Sequence, residues 1–199
     1  MPKVATAVRE GRRQQVIEAA WRCAARRKFA ELTVDEICAE ASLSKGAFYA
    51  YFVSKQTLLF ALLNEEASSI DRLMAELEAA DLTGVERLRR FARGMLERGE
   101  SPGHAQVRAD LWAEGLADEG VRDRLSVVIR ERRARLRRWI EQGIRVGELP
   151  PVPANALAAI VLALGDGLLL HAGLDPAAFS WSNIRRAFET LVEGASKVR

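Results

Sequence analysis

Apolar residues recur every three to four positions along most of the chain, which is the pattern of amphipathic helices. The first clear segment, from about Arg12 to Lys28, has an arginine-rich face opposite an apolar stripe of Val16, Ile17, Ala20, Trp21 and Ala24. Strand signals are nearly absent, because no segment alternates apolar and polar residues over its length and no Asn-Gly turn occurs. The chain is therefore predicted to be all-α.

Two short helices are predicted after the first one. In the earlier, from Val34 to Ala41, Thr33 can cap the first turn and Glu36 can complete a capping box. Ser44 can cap the later one, which is predicted from Lys45 to Phe52. Two short helices joined by a three-residue turn form a helix-turn-helix, in which the second helix reads the DNA major groove.

The second short helix has a core face and an exposed face. Phe48 and Phe52 are four residues apart, so both can close over the first helix. Small residues at Gly46 and Ala47 would let the backbone approach DNA, and the helix N-terminus favours a phosphate. The side chains predicted to stay exposed are those of Lys45, Ala47, Tyr49 and Tyr51. A helical hairpin of any bundle would use the same phenylalanines, so the DNA hypothesis depends on the exposed residues.

Charge is distributed unevenly along the chain. The first 55 residues hold ten Lys or Arg against six Asp or Glu, whereas the remainder is close to balance. A basic excess beside the predicted reading helix favours nucleic acid as the partner. The arginine-dense stretch from Arg122 to Arg138 is open to three interpretations: a second nucleic-acid patch, a solvated helix face, or arginines that approach the DNA-binding domain and link the two domains. Interleaved Glu131 and Glu141 favour the solvated face.

The segment TVDEICAEASLSKGAFYAYFVSKQTLL resembles the signature of the tetracycline-repressor (TetR) family of bacterial regulators. Matching positions are Thr33, Ile37, Ala41, Ser44, Gly46, Tyr49, Tyr51, Phe52, Lys55 and Leu58. The resemblance implies a repressor that a small-molecule effector releases from a double-stranded DNA operator. It also implies DNA contacts by Thr33, Ser44, Lys45, Gly46, Ala47, Tyr49, Tyr51 and Lys55. Lys28 stands where the family has glycine, at a cost of about 1 kcal/mol if that residue is left-handed.

The remaining two-thirds of the chain is predicted to form a larger helical domain. Ser54 can cap a long helix that reaches Leu77, and more helices are expected near 84–99, 104–117, 119–146, 154–172 and 181–196. We expect a helix-turn-helix domain over 10–56, with its motif at 33–52, and an effector-binding and dimerisation domain over 57–199. The stretches DLWAEGLADEGVRDRL, RRWIEQGIRVGELPP and GDGLLLHAGLDP resemble the betaine-regulator-like subgroup of the family.

The apolar run from Leu157 to Leu174 approaches the length of a membrane span, and the helix predicted from Ala154 to Ala172 is apolar on nearly all sides. Asp166 and His171 lie within it, and a lone carboxylate in lipid is costly, so a buried soluble helix and no membrane partner are expected. A helix that is apolar all round must be covered all round, which predicts a two-fold homodimer. The predicted interface comprises Leu157, Ile160, Val161, Leu164, Leu168, Ile184, Phe188 and Leu191.

A ligand cavity is expected among the helices of the larger domain. Candidate lining residues are Phe91, Met95, Arg108, Leu111, Trp112, Asp166 and His171. Enzyme function is not expected, because no phosphate loop, GxGxxG or GxSxG occurs, and the only histidines, His104 and His171, are far apart. No cofactor or metal is predicted. The alternatives are a helical ligand-binding or scaffold protein without DNA binding and, as a remainder, a helical enzyme.

The cellular location is predicted from the cysteines and the N-terminus. Two cysteines cannot build a disulfide framework and fit a reducing cytosol. The N-terminal segment is basic but has no apolar stretch of the kind that secretory signals contain. We therefore expect a cytoplasmic protein that lies on the nucleoid when it is bound to its operator.

Overall fold

The computed structural model describes residues 2–99, 108, 113, 117, 119–175, 177 and 179–197. Helices account for most of these residues and no strand occurs among them, which confirms the predicted all-α class. The α-helices are α1 (Pro2–Ala24), α2 (Val34–Ala41), α3 (Lys45–Tyr49), α4 (Lys55–Ala79), α5 (Gly84–Gly99), α6 (Glu119–Arg145), α7 (Ala154–Leu174) and α8 (Trp181–Lys197). A 3-10 helix, Phe29–Glu31, lies between α1 and α2. Most of the helix predicted near 104–117 lies outside the described residues.

Two predicted helices end earlier than expected. Helix α1 ends at Ala24, not Lys28, because the amides of Arg26 and Arg27 both donate to the carbonyl of Cys23 in a tight turn. Helix α3 ends at Tyr49, not Phe52, and the amide of Phe52 bonds to the carbonyl of Phe48. In both places the turn brings an aromatic ring into the core, since Phe29 and Phe52 are buried.

The left-handed residue of this region is Ser42, not Lys28. Lys28 has φ −55° and ψ 135°, so the strain considered for a residue in place of glycine is absent. Ser42 ends α2 with φ 52°, and the next amide, of Leu43, donates to the carbonyl of Cys38. The bend between α2 and α3 is therefore set by a serine in the left-handed region.

The N-terminal core is closed by α1, α2, α3 and the first half of α4. Phe48 and Ile37 are completely buried in it, and Leu58 and Leu62 of α4 fill its other side. Val121, near the start of α6, is also completely buried in this cluster. One side chain from far along the chain is thus part of the N-terminal core.

A second core lies between the later half of α4 and helices α5, α6 and α7. Its buried members are Ile70, Met74, Leu77, Phe91, Leu136, Trp139, Ile140 and Ala158. Helix α5 crosses α6 closely at Gly84, where an added Cβ would lie 2.2 Å from the Trp139 carbonyl oxygen and 2.9 Å from the Gly143 nitrogen. The start of α5 therefore has no space for a side chain.

Helix α7 is not the buried helix that its sequence predicted. Within one protomer only Ala158, Leu169 and Ala172 of this helix are buried, among its described side chains. Ile160 is 62% exposed and Leu164 54% exposed. By length and composition alone, residues 154–172 could cross a membrane. Ile160 and Leu164 belong to the predicted contact with a second copy, whereas Leu170 and Leu174, which are also exposed, do not.

We predict that Gly84→Ala destabilises the fold by about 1–3 kcal/mol, because the new methyl group must displace the backbone of α6. Gly11→Ala is the matched control, since Gly11 lies within α1 and has no atom within 4 Å of its added Cβ. The control should be neutral or stabilise by up to about 1 kcal/mol through helix propensity. Urea unfolding at one fixed protein concentration measures both. Equal effects of the two substitutions would contradict the close crossing.

Candidate nucleic-acid interface and ligand cavity

Helix α3 has an exposed polar face, and aromatic side chains are buried on its other face. Phe48 is completely buried, and its ring meets those of Tyr49 at 5.3 Å and Phe52 at 5.7 Å between centroids. Tyr49 remains 51% exposed although it is packed edge-on against Phe48. A large aromatic residue is therefore held rigidly at the surface of the second helix of the motif.

The N-terminus of α3 is open and capped. The Ser44 hydroxyl accepts a hydrogen bond from the amide of Ala47 at 3.1 Å, as the sequence predicted. An added Cβ on Gly46 would meet only the Ser44 Oγ, at 3.8 Å. Nothing inside the protomer therefore requires glycine at position 46.

The other side chains predicted to face DNA differ in exposure. Lys45 is exposed and its ammonium lies 2.8 Å from Asp35 of α2. That pairing raises the pKa of Lys45, chiefly through the hydrogen bond to Asp35. Ala47 and Tyr51 are only half-buried, not fully exposed as expected, and Tyr51 packs against the N-terminal core. The most accessible large side chains of this surface are those of Lys45 and Tyr49.

Thr33 forms the predicted capping box with Glu36. Its hydroxyl accepts from the Glu36 amide at 3.2 Å and donates to the Glu36 carboxylate at 2.8 Å. The backbone amide of Thr33 donates to the same carboxylate at 2.7 Å, and this bond is the main reason that the pKa of Glu36 is lowered. Because its only hydroxyl proton is already donated, Thr33 would have to give up that bond to contact a phosphate.

Lys55 has a structural role that the sequence did not indicate. Its ammonium donates to the carbonyls of Phe29, Ala30 and Leu32 at 2.9, 2.7 and 2.9 Å. These carbonyls belong to the 3-10 segment before α2, and the ammonium also lies 5.3 Å from the centre of the Phe29 ring. Lys55 therefore fixes the backbone that leads into the motif, and a phosphate contact by it stays a prediction.

Acidic residues of the N-terminal domain are neutralised by arginines of α1 and the turn after it. Glu40 accepts from Arg22 at 2.7 Å and from Arg26 at 2.5 Å, and Glu36 accepts from Arg27 at 2.5 Å. The hydrogen bond from Arg22 and then that from Arg26 lower the pKa of Glu40. These exposed ion pairs hold α2 against α1 on the side away from the core.

A cavity of about 220 Å³ lies between α4, α5, α6 and α7. Four of the predicted lining residues line it: Phe91, Met95, Arg108 and Asp166. His171 does not line it. Its side chain is exposed on a face of α7 that points away from the cavity. Leu111 and Trp112 lie outside the described residues.

A buried ionic group closes one side of this cavity. The Arg108 guanidinium binds Glu66 of α4 and Asp166 of α7 with separate nitrogens. Burial is the largest influence on Arg108 and lowers its pKa, but the two carboxylates more than reverse this and the pKa is raised overall. Sequence reasoning missed Glu66, although a carboxylate in the apolar stripe of Leu62, Leu63 and Ile70 was a usable signal.

The arginines of α6 are mostly paired with acidic residues of the larger domain. Arg135 donates to Glu78 of α4 at 2.6 and 3.0 Å, and this hydrogen bond lowers the pKa of Glu78. Arg137 lies 3.8 Å from Glu141. Arg132 is buried and donates to the Ala67 carbonyl at 3.0 Å. These pairings support the interpretation as a helix face and not as a second nucleic-acid patch.

The predicted dimer residues lie partly around a second, wholly apolar groove between α5, α7 and α8. Val161, Leu164, Leu168, Ile184 and Phe188 line it. Leu157 is half-buried against the second core and Ile160 is exposed. The side chain of Leu191 lies outside the described residues. The predicted interface residues thus include both exposed side chains, such as Ile160 and Leu164, and side chains that line this groove.

A capped helix-turn-helix with an exposed basic and aromatic second helix, carried on a larger helical domain, defines a DNA-binding transcriptional regulator. Residues 16–62 match the family of bacterial regulatory proteins called the tetR family. Residues 84–196 match the C-terminal domain of BetI-type transcriptional repressors. The chain belongs to the TetR family.

Individual relatives agree with this assignment. A helix-turn-helix-type transcriptional repressor of Mycobacterium tuberculosis is 30% identical over 88% of this chain and 91% of its own. The repressor AcnR of Corynebacterium glutamicum is 28% identical over 79% of each chain. The crystal structure of a transcriptional regulator from Saccharomonospora viridis in complex with choline superposes with a TM-score of 0.76 at 25% identity, covering 91% of this chain and 95% of that one.

We predict that Lys55→Met destabilises the protein by about 1–3 kcal/mol, because three carbonyls, two of them partly buried, lose a charged donor. Arg72→Met, which also removes a basic side chain but at an exposed position of α4, is the control. Chemical unfolding followed by circular dichroism measures both. A Lys55→Met protein as stable as the control variant would show that the ammonium does not fix this segment.

The lowered pKa of Glu40 predicts a pH dependence. A carboxylate whose folded pKa is depressed stabilises the protein above its ordinary value, here 4.5, and this contribution is lost as the pH falls through the folded pKa. The melting temperatures of wild type and Glu40→Gln should therefore differ at neutral pH and converge in acid. Glu18→Gln, which removes an exposed carboxylate from α1, is the control. A constant difference for Glu40→Gln between pH 3 and 7 (roughly the range that spans carboxylate titration) would contradict the ion pair.

Proposed function

We propose that the protein is a homodimeric repressor that binds an operator through α3 and leaves it when a small molecule occupies the cavity described above. The observation that carries the proposal is the surface of α3, where exposed Lys45 and Tyr49 flank an open Gly46. In this role Ser44 to Ala47 face the groove, while Tyr49 and Tyr51 contact phosphates together with Thr33 and Lys55. The relatives named as repressors support repression.

The dimer follows from the apolar surface of α7 and α8. Ile160 and Leu164 are more than half exposed in the protomer, and burying them against a second copy recovers apolar surface at about 25 cal/mol/Å². A dimer also serves this function, because two α3 helices are needed to contact successive major grooves, roughly 34 Å apart. We expect a dimer at micromolar concentration in solution, in the cytoplasm and on the nucleoid when operator-bound.

Helix α4 connects the cavity with the DNA-binding domain. Of two adjacent residues in this helix, one faces the cavity and the other faces α1. Glu66 binds Arg108 in the cavity wall. Glu65 accepts hydrogen bonds from Gln14 at 2.7 Å and from the Trp21 indole at 3.1 Å, both on α1. A ligand that shifts α4 at Glu66 therefore moves the helix that supports the DNA-binding domain. Effector and operator then oppose each other with reciprocal coupling.

We predict that Lys45→Ala combined with Tyr49→Ala abolishes binding to DNA upstream of the protein's own gene. The two substitutions remove the exposed charge and the exposed ring of α3 while leaving Phe48 in the core. Binding by the wild type should weaken steeply with salt, as expected for phosphate contacts. Arg137→Ala, on the exposed face of α6, is the control. A double variant that binds its site unchanged would show that α3 does not read DNA, and would favour a ligand-binding protein without this activity.

A finer prediction concerns Gly46. Because its Cβ position is open within the protomer, Gly46→Ala should leave stability unchanged or raise it by up to about 1 kcal/mol. Operator affinity should nevertheless fall by about tenfold or more, since the methyl group lies where the helix meets the groove. Thermal unfolding and fluorescence anisotropy on one sample separate the two effects. Unchanged affinity would show that the backbone at position 46 does not approach DNA closely.

A further inference from the structure

The cavity that we assign to the effector has a wall of mixed character. Helices α4 and α6 contribute most of its apolar side chains, among them Phe60, Leu63, Val128 and Ile129. The charged side chains in the wall are those of Glu66, Arg108, Arg122, Arg124, Arg132 and Asp166. Whether these charges are free or compensated decides which ligands the cavity can take, because an unpaired charge is costly to bury.

The two buried carboxylates are already engaged. Glu66 and Asp166 both accept from Arg108, and the buried Arg132 acts electrostatically on both carboxylates as well. Two guanidiniums therefore face the two buried carboxylates. A cationic ligand would have to compete with Arg108 for these carboxylates. Removing one partner of a buried ion pair leaves an uncompensated charge and is strongly unfavourable.

The arginines of the wall are engaged as well. Arg132 is buried and donates to the Ala67 carbonyl at 3.0 Å and to Asp71 at 3.4 Å. The Arg124 guanidinium lies 4.8 Å from the centre of the Phe60 ring. Arg122 is exposed and lies 3.8 Å from Glu119. An anionic ligand would therefore find its nearest buried guanidiniums already bound to acceptors of the protein.

One polar atom of the wall is not satisfied. Nε of Arg108 is buried and has no hydrogen-bond partner among the described residues. Nε has almost no exposed surface, so a ligand oxygen meets it only after the Arg108 side chain turns toward the cavity. A buried donor without an acceptor costs about as much as a lost hydrogen bond, and that contact would recover the energy. Arg108 itself is nine-tenths buried, which makes it part of a built wall and not a surface side chain.

We propose that the effector is an uncharged, mainly apolar molecule with one carbonyl-type oxygen, such as a ketone, ester or lactone, which accepts a hydrogen bond from Arg108 Nε. The apolar part fills the space between Leu63, Val128 and Ile129, and the oxygen lies at the Arg108 side. This inference rests on the proposed function only in calling the ligand an effector. It sets the ligand apart from a quaternary ammonium such as the choline bound to the relative.

The proposal is tested with four probes that share one heptyl chain: 2-nonanone, its isosteric alkene 2-methyl-1-nonene, octanoate and heptyltrimethylammonium. Binding to the full-length protein is measured by calorimetry. The ketone is expected to bind about tenfold more tightly, or better, than each of the other three. Tighter binding of octanoate or heptyltrimethylammonium would overturn the uncharged class. Absence of binding by all four would overturn the proposal too.

Two variants on α6 locate the binding. Val128→Phe fills the cavity, whereas Val127→Phe makes the same change one residue away at an exposed position that does not line it. Ketone binding should be lost in the first variant and kept in the second. Equal binding to both would place the ketone elsewhere and overturn the assignment.

Arg108→Lys tests the oxygen contact, because it keeps a positive charge for Glu66 and Asp166 but removes Nε. The affinity advantage of the ketone over the alkene should disappear in this variant, and an advantage that persists would overturn the contact. If Arg108→Lys does not fold, the comparison of ketone with alkene in the wild type still shows whether the oxygen contributes to the affinity. Operator binding without probes is measured on the same samples, so loss of the proposed function is distinguished from a wrong ligand class.

Discussion

Helix α4 packs along both hydrophobic cores and supplies several buried side chains to each, and the remaining helices are arranged around that constraint. Its first half packs with Phe48 and Ile37 in the N-terminal core, and its second half packs with Phe91 and Trp139. A continuous 25-residue helix transmits rotation and translation along its length because its backbone hydrogen bonds leave no hinge. The DNA-binding surface and the cavity therefore cannot be positioned independently of each other.

The buried pairing of Glu66, Arg108 and Asp166 is the costly part of this arrangement. Desolvating three charged groups offsets most of their mutual attraction, so such a group contributes little net stability. What it does provide is a fixed orientation of α4 relative to α7, since each carboxylate comes from a different helix. Burial, the largest influence, and the nearby Glu66 outweigh Arg108 and raise the pKa of Asp166, which reflects the same desolvation.

Local signals in the sequence were sufficient to predict the helix-turn-helix. The caps at Thr33, Ser44 and Ser54 depend only on neighbouring residues, so they and the bounds of α2 could be predicted from the sequence. The roles of residues that depend on distant contacts could not be predicted from the sequence. Nothing near Lys55 in the sequence indicates that its ammonium meets carbonyls 23 to 26 residues earlier. Likewise, composition showed α7 to be apolar but not that the protomer leaves it largely uncovered.

The insertion of Val121 into the N-terminal core bears on how such proteins can be recombined. An exchange of DNA-reading segments between two related regulators could join their chains near the start of α4. Here the core that holds α3 also contains Val121 from α6, with Leu125 packed beside it. A hybrid joined at residue 56 would combine the helix-turn-helix of one parent with the residue that the other parent has at position 121. DNA specificity would then be transferred unchanged only if the residue at position 121 were exchanged together with the motif.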